Sequence, residues 1–204
     1  MSVKIMLYLR RITNGILLSI LFWMGLVLGL FIFGLLPSIS AVLRTTPIVK
    51  DEIEYSKIIK CFIKHYILSI RQSWLDSTVI SLLLIILLSE YKMVDEIPIL
   101  FAIFKLPLGF LITYFISMIL NYSILHMSEK LRKKKLLIKT LFSPLITLME
   151  TTIMFLFFIL YYLLINVNSL IVLLTISFFI IFMGKLLSRK LILKGIINEE
   201  TVLI

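Results

Sequence analysis

Among its 204 residues the chain has one cysteine, two histidines, two alanines (Ala41 and Ala102) and only 11 acidic residues. A single cysteine, Cys61, excludes an internal disulfide and leaves the redox compartment unreadable. On an apolar helix face such a residue is a small hydrophobe. His65 and His126 stand alone, without a second ligand at metal-type spacing, so neither a metal nor another cofactor is expected. The chain has no glycine-rich phosphate loop, no His-Glu-x-x-His helix and no Gly-x-Ser-x-Gly turn. Nor is there a chain of buried acids to carry protons. The expectation is therefore a protein that is not an enzyme and has no catalytic residues. Scarce alanine beside abundant Ile, Leu and Lys points to an AT-rich bacterial genome.

Charge is scarce too. Charged residues make up 16% and hydrophobic residues 61%, against about 25% and about 45–50% in a soluble domain. No polar block is long enough to build a core outside a membrane. The net charge of +10 is the topology signature of basic cytoplasmic loops. No nucleic-acid-binding module fits the pattern.

The dominant feature is the run 12–43, which carries no charge at all. As one straight helix it would be about 48 Å long, whereas a bilayer core needs about 20 residues. The run is too long for a signal-peptide core and no small-residue cleavage site follows, so the N-terminus is expected to be retained. Near its end stands Gly34-Leu35-Leu36-Pro37-Ser38, and proline is tolerated in a helix's first turn. The pattern predicts a span over 14–33, a structural bend at Gly34 and Pro37, and a short return segment.

Over 50–73, Tyr55, Ile58, Ile59, Phe62, Ile63, Tyr66, Ile67 and Ile70 share one helical face, with Glu54, Lys57, Lys60, Lys64 and Arg71 opposite. This predicts an amphipathic helix, either an interfacial connector or one that docks in a partner's groove. Further spans are expected over 74–89, 106–125, 141–165 and 170–187, separated by 90–98, by the basic loop 129–139 and by the turn Asn166-Val167-Asn168. The fold expected is all-α: a polytopic helical membrane protein forming a single domain over 1–204, with five strong spans plus the return segment after Pro37. Folding the first run back puts all but Lys92 and Lys105 of the 21 basic residues in the cytoplasm, both termini included.

Ionisable groups inside a membrane are functional candidates. Arg44, Arg71, Asp76 and Glu150 all fall near cytoplasmic span ends and form one candidate polar cluster, the alternative being four separate headgroup-level residues. Lys57, Lys60 and Lys64, with Arg132, Lys133, Lys134 and Lys135, make a candidate partner or lipid surface suited to anionic headgroups. Trp74, Tyr8, Tyr161 and Tyr162 read as interface belt residues, and Lys105 as a snorkelling one.

Asn14, Trp23 and the stretch Gly34-Leu35-Leu36-Pro37-Ser38-Ile39-Ser40-Ala41 resemble the opening of the YesL-like bacterial membrane protein family. There an Asn/Trp-bearing apolar span ends in a Gly-Pro-Ala-type bend; here Leu36-Pro37 stands where Gly-Pro is common. The segment 55–74 is similar to the family's aromatic and basic connector, and 136–141 to the stretch before its later spans. The family has no established reaction. The resemblance implies a Gram-positive plasma-membrane protein, often associated with carbohydrate uptake through ATP-driven importers. The chain shows no Glu-Ala-Ala-type coupling motif of an importer's own permease. The leading expectation is an accessory or interaction subunit of such a system. The alternative is a small transporter or substrate-capturing component, for which Ser19, Ser117, Asn121 and Ser177 supply the few polar side chains at mid-membrane.

Overall fold

The computed structural model describes residues 3–51, 54–95, 98–128 and 133–197. They form seven helices and, among the described residues, no strand: α1 (Val3–Leu28), α2 (Leu35–Asp51), α3 (Tyr55–Asp95), α4 (Pro98–Ser128), α5 (Lys133–Ile146), α6 (Leu148–Val167) and α7 (Ser169–Leu193). Glu129 to Arg132 of the basic loop, and the tail from Asn198, lie outside the described residues.

The bend expected at Gly34 and Pro37 is present, but α1 stops earlier than Phe33. The amide of Leu30 donates to Val27 O at 3.0 Å and that of Phe31 to Leu26 O at 2.8 Å. These two bonds close a Schellman cap around Gly29. Leu30 and Phe31 both take left-handed backbone (φ 50° and 61°), which side chains resist. A Cβ on Gly29 would lie 2.3 Å from Gly34 Cα, so the two glycines let the chain reverse in six residues. Pro37 then falls in the first turn of α2, where its missing N–H removes no bond.

The short return segment, α2, is the centre of the described helices. Every residue from Leu36 to Leu43 is buried, and α2 packs against α1, α3, α4 and α7. Small residues let those neighbours close in. A Cβ on Gly184 of α7 would meet Leu43 Cδ2 at 2.5 Å, and one on Gly25 would meet Ser38 Oγ at 2.5 Å.

The amphipathic segment is not a separate interfacial helix. It is the first half of the 41-residue α3, which continues into the expected second span across a kink at Ser73 (φ −133°, ψ 23°). Its inner face, Ile58, Phe62 and Tyr66, is buried in the core beside α2 and α1, while Ile63 and Ile67 stay exposed. The expected span 141–165 is also corrected: α5 and α6 meet at Thr147 with a 74° bend. Pro144 has no N–H for Thr140 O, and the Ser143 hydroxyl takes that place at 2.7 Å.

Among the described residues, α1 (Ile5–Leu28), α3 (Tyr55–Val94) and α4 (Phe104–Met127) are long and apolar enough to cross a membrane. The bent pair α5–α6 is a fourth if taken as one span, and Leu35–Val49 is a shorter apolar helix. Against the five strong spans expected, the described residues supply three or four candidates, an arrangement compatible with a multi-pass membrane protein. The charge-based threading also needs revision. It set the α1–α2 bend and the start of the 74–89 span on opposite faces, yet Ser77 Oγ donates to Ile32 O and Phe33 O, each at 3.2 Å.

Candidate functional site

Three polar assemblies hold the helices together, each built on small hydroxyl side chains. At the α1–α2 elbow, the Tyr66 hydroxyl donates to Gly25 O at 2.6 Å from one side of the Ser73 kink, and Ser77 closes from the other. Between α1 and α7, Ser19 Oγ donates to Leu174 O at 2.7 Å and Ser177 Oγ to Gly15 O at 2.6 Å, with the two hydroxyls 2.8 Å apart. Trp23 Nε1 donates to Leu173 O at 3.0 Å along the same seam. Asn14 Nδ2 donates to Val49 O at 3.1 Å and ties the far end of α2 to α1.

The third assembly lies where α5 breaks into α6. Thr140, Ser143, Thr147 and Thr151 are all buried, and each donates to a carbonyl three or four residues back. Across from them on α4, Ser117 Oγ lies 3.2 Å from Thr151 Oγ1, and Asn121 Nδ2 donates to Ser117 Oγ at 3.5 Å. Asn121 is fully buried, and among the described residues its Oδ1 has no hydrogen-bond donor. Nothing in the local sequence announces this assembly; Ser117 and Asn121 were legible as mid-membrane polar residues, their α5–α6 partners were not.

The four-residue cluster of Arg44, Arg71, Asp76 and Glu150 does not form. Asp76 Oδ2 accepts from the Tyr122 hydroxyl at 2.6 Å, and the Tyr122 ring stacks on His126 with centroids 5.8 Å apart. Glu150 Oε1 pairs with Lys190 at 3.7 Å, and its side chain is only 12% exposed. Its other oxygen is buried and, among the described residues, has no hydrogen-bond partner. Arg71 is exposed and Arg44 half-buried. Both carboxylates thus find partners on helices that sequence spacing did not connect.

Of the expected lipid or partner surface, Lys57, Lys60, Lys64 and Lys135 are exposed, and Lys57 also pairs with Glu54 at 3.6 Å. The side chains of Lys133 and Lys134, like Arg132, lie outside the described ones. Lys105 sits over the Tyr91 ring, 5.5 Å from its centroid. Tyr161, read as a belt residue, instead donates to Thr175 O at 3.1 Å.

Among the described residues no three His, Cys, Asp or Glu side chains group as metal ligands. An open groove of about 570 Å³ runs between α1 and α7, lined by apolar side chains including Trp23, Met24, Leu170 and Leu173. What the arrangement offers chemically is hydrogen-bonded closure of helices, with buried acceptors at Asn121 and Glu150.

No curated protein and no solved structure matches the chain. Residues 16–90, from α1 across the elbow and the Ser73 kink into the second half of α3, match the model of the family described as protein of unknown function, DUF624. That match, over residues 16–90, is consistent with the resemblance to the YesL-like family.

Proposed function

We propose that the chain is a non-enzymatic membrane accessory subunit whose second α3 half packs against a partner's transmembrane helices. One observation carries this reading. Beyond the Ser73 kink, Ser77, Ile80 and Ser81 are buried as one stripe and Leu84 is half-buried, while Val79, Leu82, Leu83, Ile85, Ile86 and Leu88 are exposed. An apolar helix anchored along one stripe has most of its circumference free for lipid or for another helix, and membrane helices associate by such packing. The hydroxyl groups of Ser19, Ser177, Ser117 and Thr151 support the same reading, because they join helices within the chain. An ATP-driven carbohydrate importer as the partner and a bacterial plasma membrane rest on the family resemblance alone, and cytoplasmic termini on the distribution of basic residues.

The test is photo-crosslinking in the native host, with a photoreactive residue at Leu82, Leu83 or Ile86 and a buried control at Ile80, followed by mass spectrometry in mild detergent. Stoichiometric capture of a transporter's permease from the exposed positions, and not from Ile80, is the result expected. Recovery of the protein alone would overturn the accessory role. The alternative, a small transporter, is favoured by the 74° break beside Asn121, since interrupted helices with unpaired acceptors are the places where membrane transporters hold solutes and ions. A bound solute recovered with the protein alone would select it.

A further inference from the structure

Oxygens outnumber protons at the break between α5 and α6. The Thr151 hydroxyl lies 2.9 Å from Thr147 O, 3.2 Å from Ser117 Oγ and 3.4 Å from Pro144 O. It has one proton to share among the three. Thr147 O is already served by the Thr151 amide at 2.9 Å. Pro144 belongs to the last turn of α5, where helix carbonyls lack intrahelical donors. The carboxamide of Asn121 reaches the same place, with Nδ2 3.5 Å from Ser117 Oγ, while its Oδ1 accepts from none of the described residues. Ser117, Asn121 and Thr151 are at most 1% exposed.

A bond of 3.5 Å holds that amide weakly. Exchanging its two ends puts the oxygen where Nδ2 now lies, beside Ser117 Oγ and within the cluster. Hydroxyl, amide and carbonyl oxygens are hard ligands, and a buried set of them short of protons suits a cation. All four oxygens are uncharged, and the neighbouring Glu150 is paired with Lys190. Divalent ions take carboxylates, so the charge fits a monovalent one. Spacing fixes its size. An ion bound at about 2.4 Å in an octahedral shell has neighbouring oxygens about 3.4 Å apart. The 3.2 Å and 3.4 Å separations around Thr151 match that shell, and the larger potassium ion would spread them.

We propose that Asn121, Ser117, Thr151 and the Pro144 carbonyl bind a sodium ion at the α5–α6 break. Such an ion braces α4 against α6 in an accessory subunit and is the carried ion in a small transporter, so neither reading of the function is presupposed. Ion binding is read on the purified chain alone, which keeps its outcome separate from that of the crosslinking.

The experiment titrates sodium chloride against choline chloride, at constant total salt, into the purified full chain in detergent. Two quantities are read, the unfolding midpoint and the amount of radioactive sodium bound. A saturable rise in midpoint with saturable sodium binding is expected, and potassium chloride gives a weaker response. Asn121→Ala, Ser117→Ala and Thr151→Val each weaken apparent sodium affinity by about tenfold or more, because each removes an oxygen from a charge. Asn121→Asp keeps the size and adds a carboxylate, so calcium gains on sodium. An amide with a merely structural role gives no such change of preference. Equal midpoints in sodium and choline, with no sodium bound, overturn the proposal and leave these oxygens to ordered water. A sodium response that Ser117→Ala and Thr151→Val retain in full overturns it as well. Should Asn121→Ala fail to fold, those two variants and the wild-type titration decide.

Discussion

The Tyr66 hydroxyl donates to the carbonyl oxygen of Gly25 at 2.6 Å, joining α3 to the last turn of α1 across 41 positions of sequence. The same carbonyl accepts the amide of Gly29 at 3.0 Å, so it serves both the end of α1 and the helix packed against it. Tyr66→Phe keeps the ring, stacked on Phe62 with centroids 6.1 Å apart, and removes only the hydroxyl. Because Gly25 O keeps its Gly29 donor, the expected loss is about 0.5–1 kcal/mol. It is read as a lower unfolding midpoint in detergent, followed by Trp23 and Trp74 fluorescence. An unchanged midpoint would show that the elbow does not depend on α3.

The elbow makes opposite demands at neighbouring positions. A Cβ on Gly34 would lie 2.7 Å from Gly25 O and 3.0 Å from Leu26 Cα, both backbone atoms that cannot swing aside. Gly34→Ala is therefore expected to abolish the folded, monodisperse protein. Leu30, left-handed and exposed, should behave the other way. Leu30→Gly relieves strain of about 1 kcal/mol and should raise the midpoint. Size-exclusion profiles and melting curves of the two variants check both halves.

At the α5–α6 break, Ser143→Ala strips Thr140 O of its donor inside the protein, at an expected cost of about 1–2 kcal/mol. Thr152 makes the same kind of bond, to Leu148 O at 3.0 Å, in an exposed setting. Its alanine variant should stay within about 0.5 kcal/mol of wild type. Pro144→Ala restores an amide at the missing position. Adding it to Ser143→Ala should recover part of the loss, a coupling measurable in a double-mutant cycle.

Lys190→Met leaves Glu150 enclosed without its cation. The expected destabilisation is about 2 kcal/mol, because a largely buried carboxylate loses its ion pair with Lys190. Glu150→Gln combined with Lys190→Met should be milder than Lys190→Met alone, since no charge is then stranded. Chemical denaturation monitored by helical circular dichroism separates the cases, and equal losses in the two variants would exclude the pairing as a source of stability.

The features legible in the sequence were those that one helix can express alone. An uncharged run longer than a membrane, interrupted by Gly34 and Pro37, required a reversal, and the chain reverses there. The three- and four-residue spacing of Ile58, Phe62 and Tyr66 marked a buried face, and the boundary drawn after Ser73 falls on the kink. What was hidden depends on neighbours. Nothing in the short return segment marked it as central, yet its small side chains, Ser38, Ser40, Ala41, Thr45 and Thr46, are what four packed helices need at a shared centre. Asp76 finds Tyr122 at 46 positions' remove, a choice made by the approach of α4 to α3 and not by any local pattern. Thr147 carries no breaker signature of its own; the bend arises because Pro144 removes a donor and nearby hydroxyls supply others.

The position of α2 has a consequence for biogenesis. During synthesis the hairpin α1–α2 leaves the ribosome before α3, α4 or α7 exists, so the helix destined for the centre is made before its surroundings. Alone in lipid, α2 would present seven polar or charged residues and a proline-interrupted C-terminal turn, a composition that the insertion machinery partitions poorly. Its retention must then rely first on α1, through the close Gly25, Gly29 and Gly34 contacts, and only later on the helices that enclose it. The glycines of the elbow thereby act as an early clamp on the nascent chain.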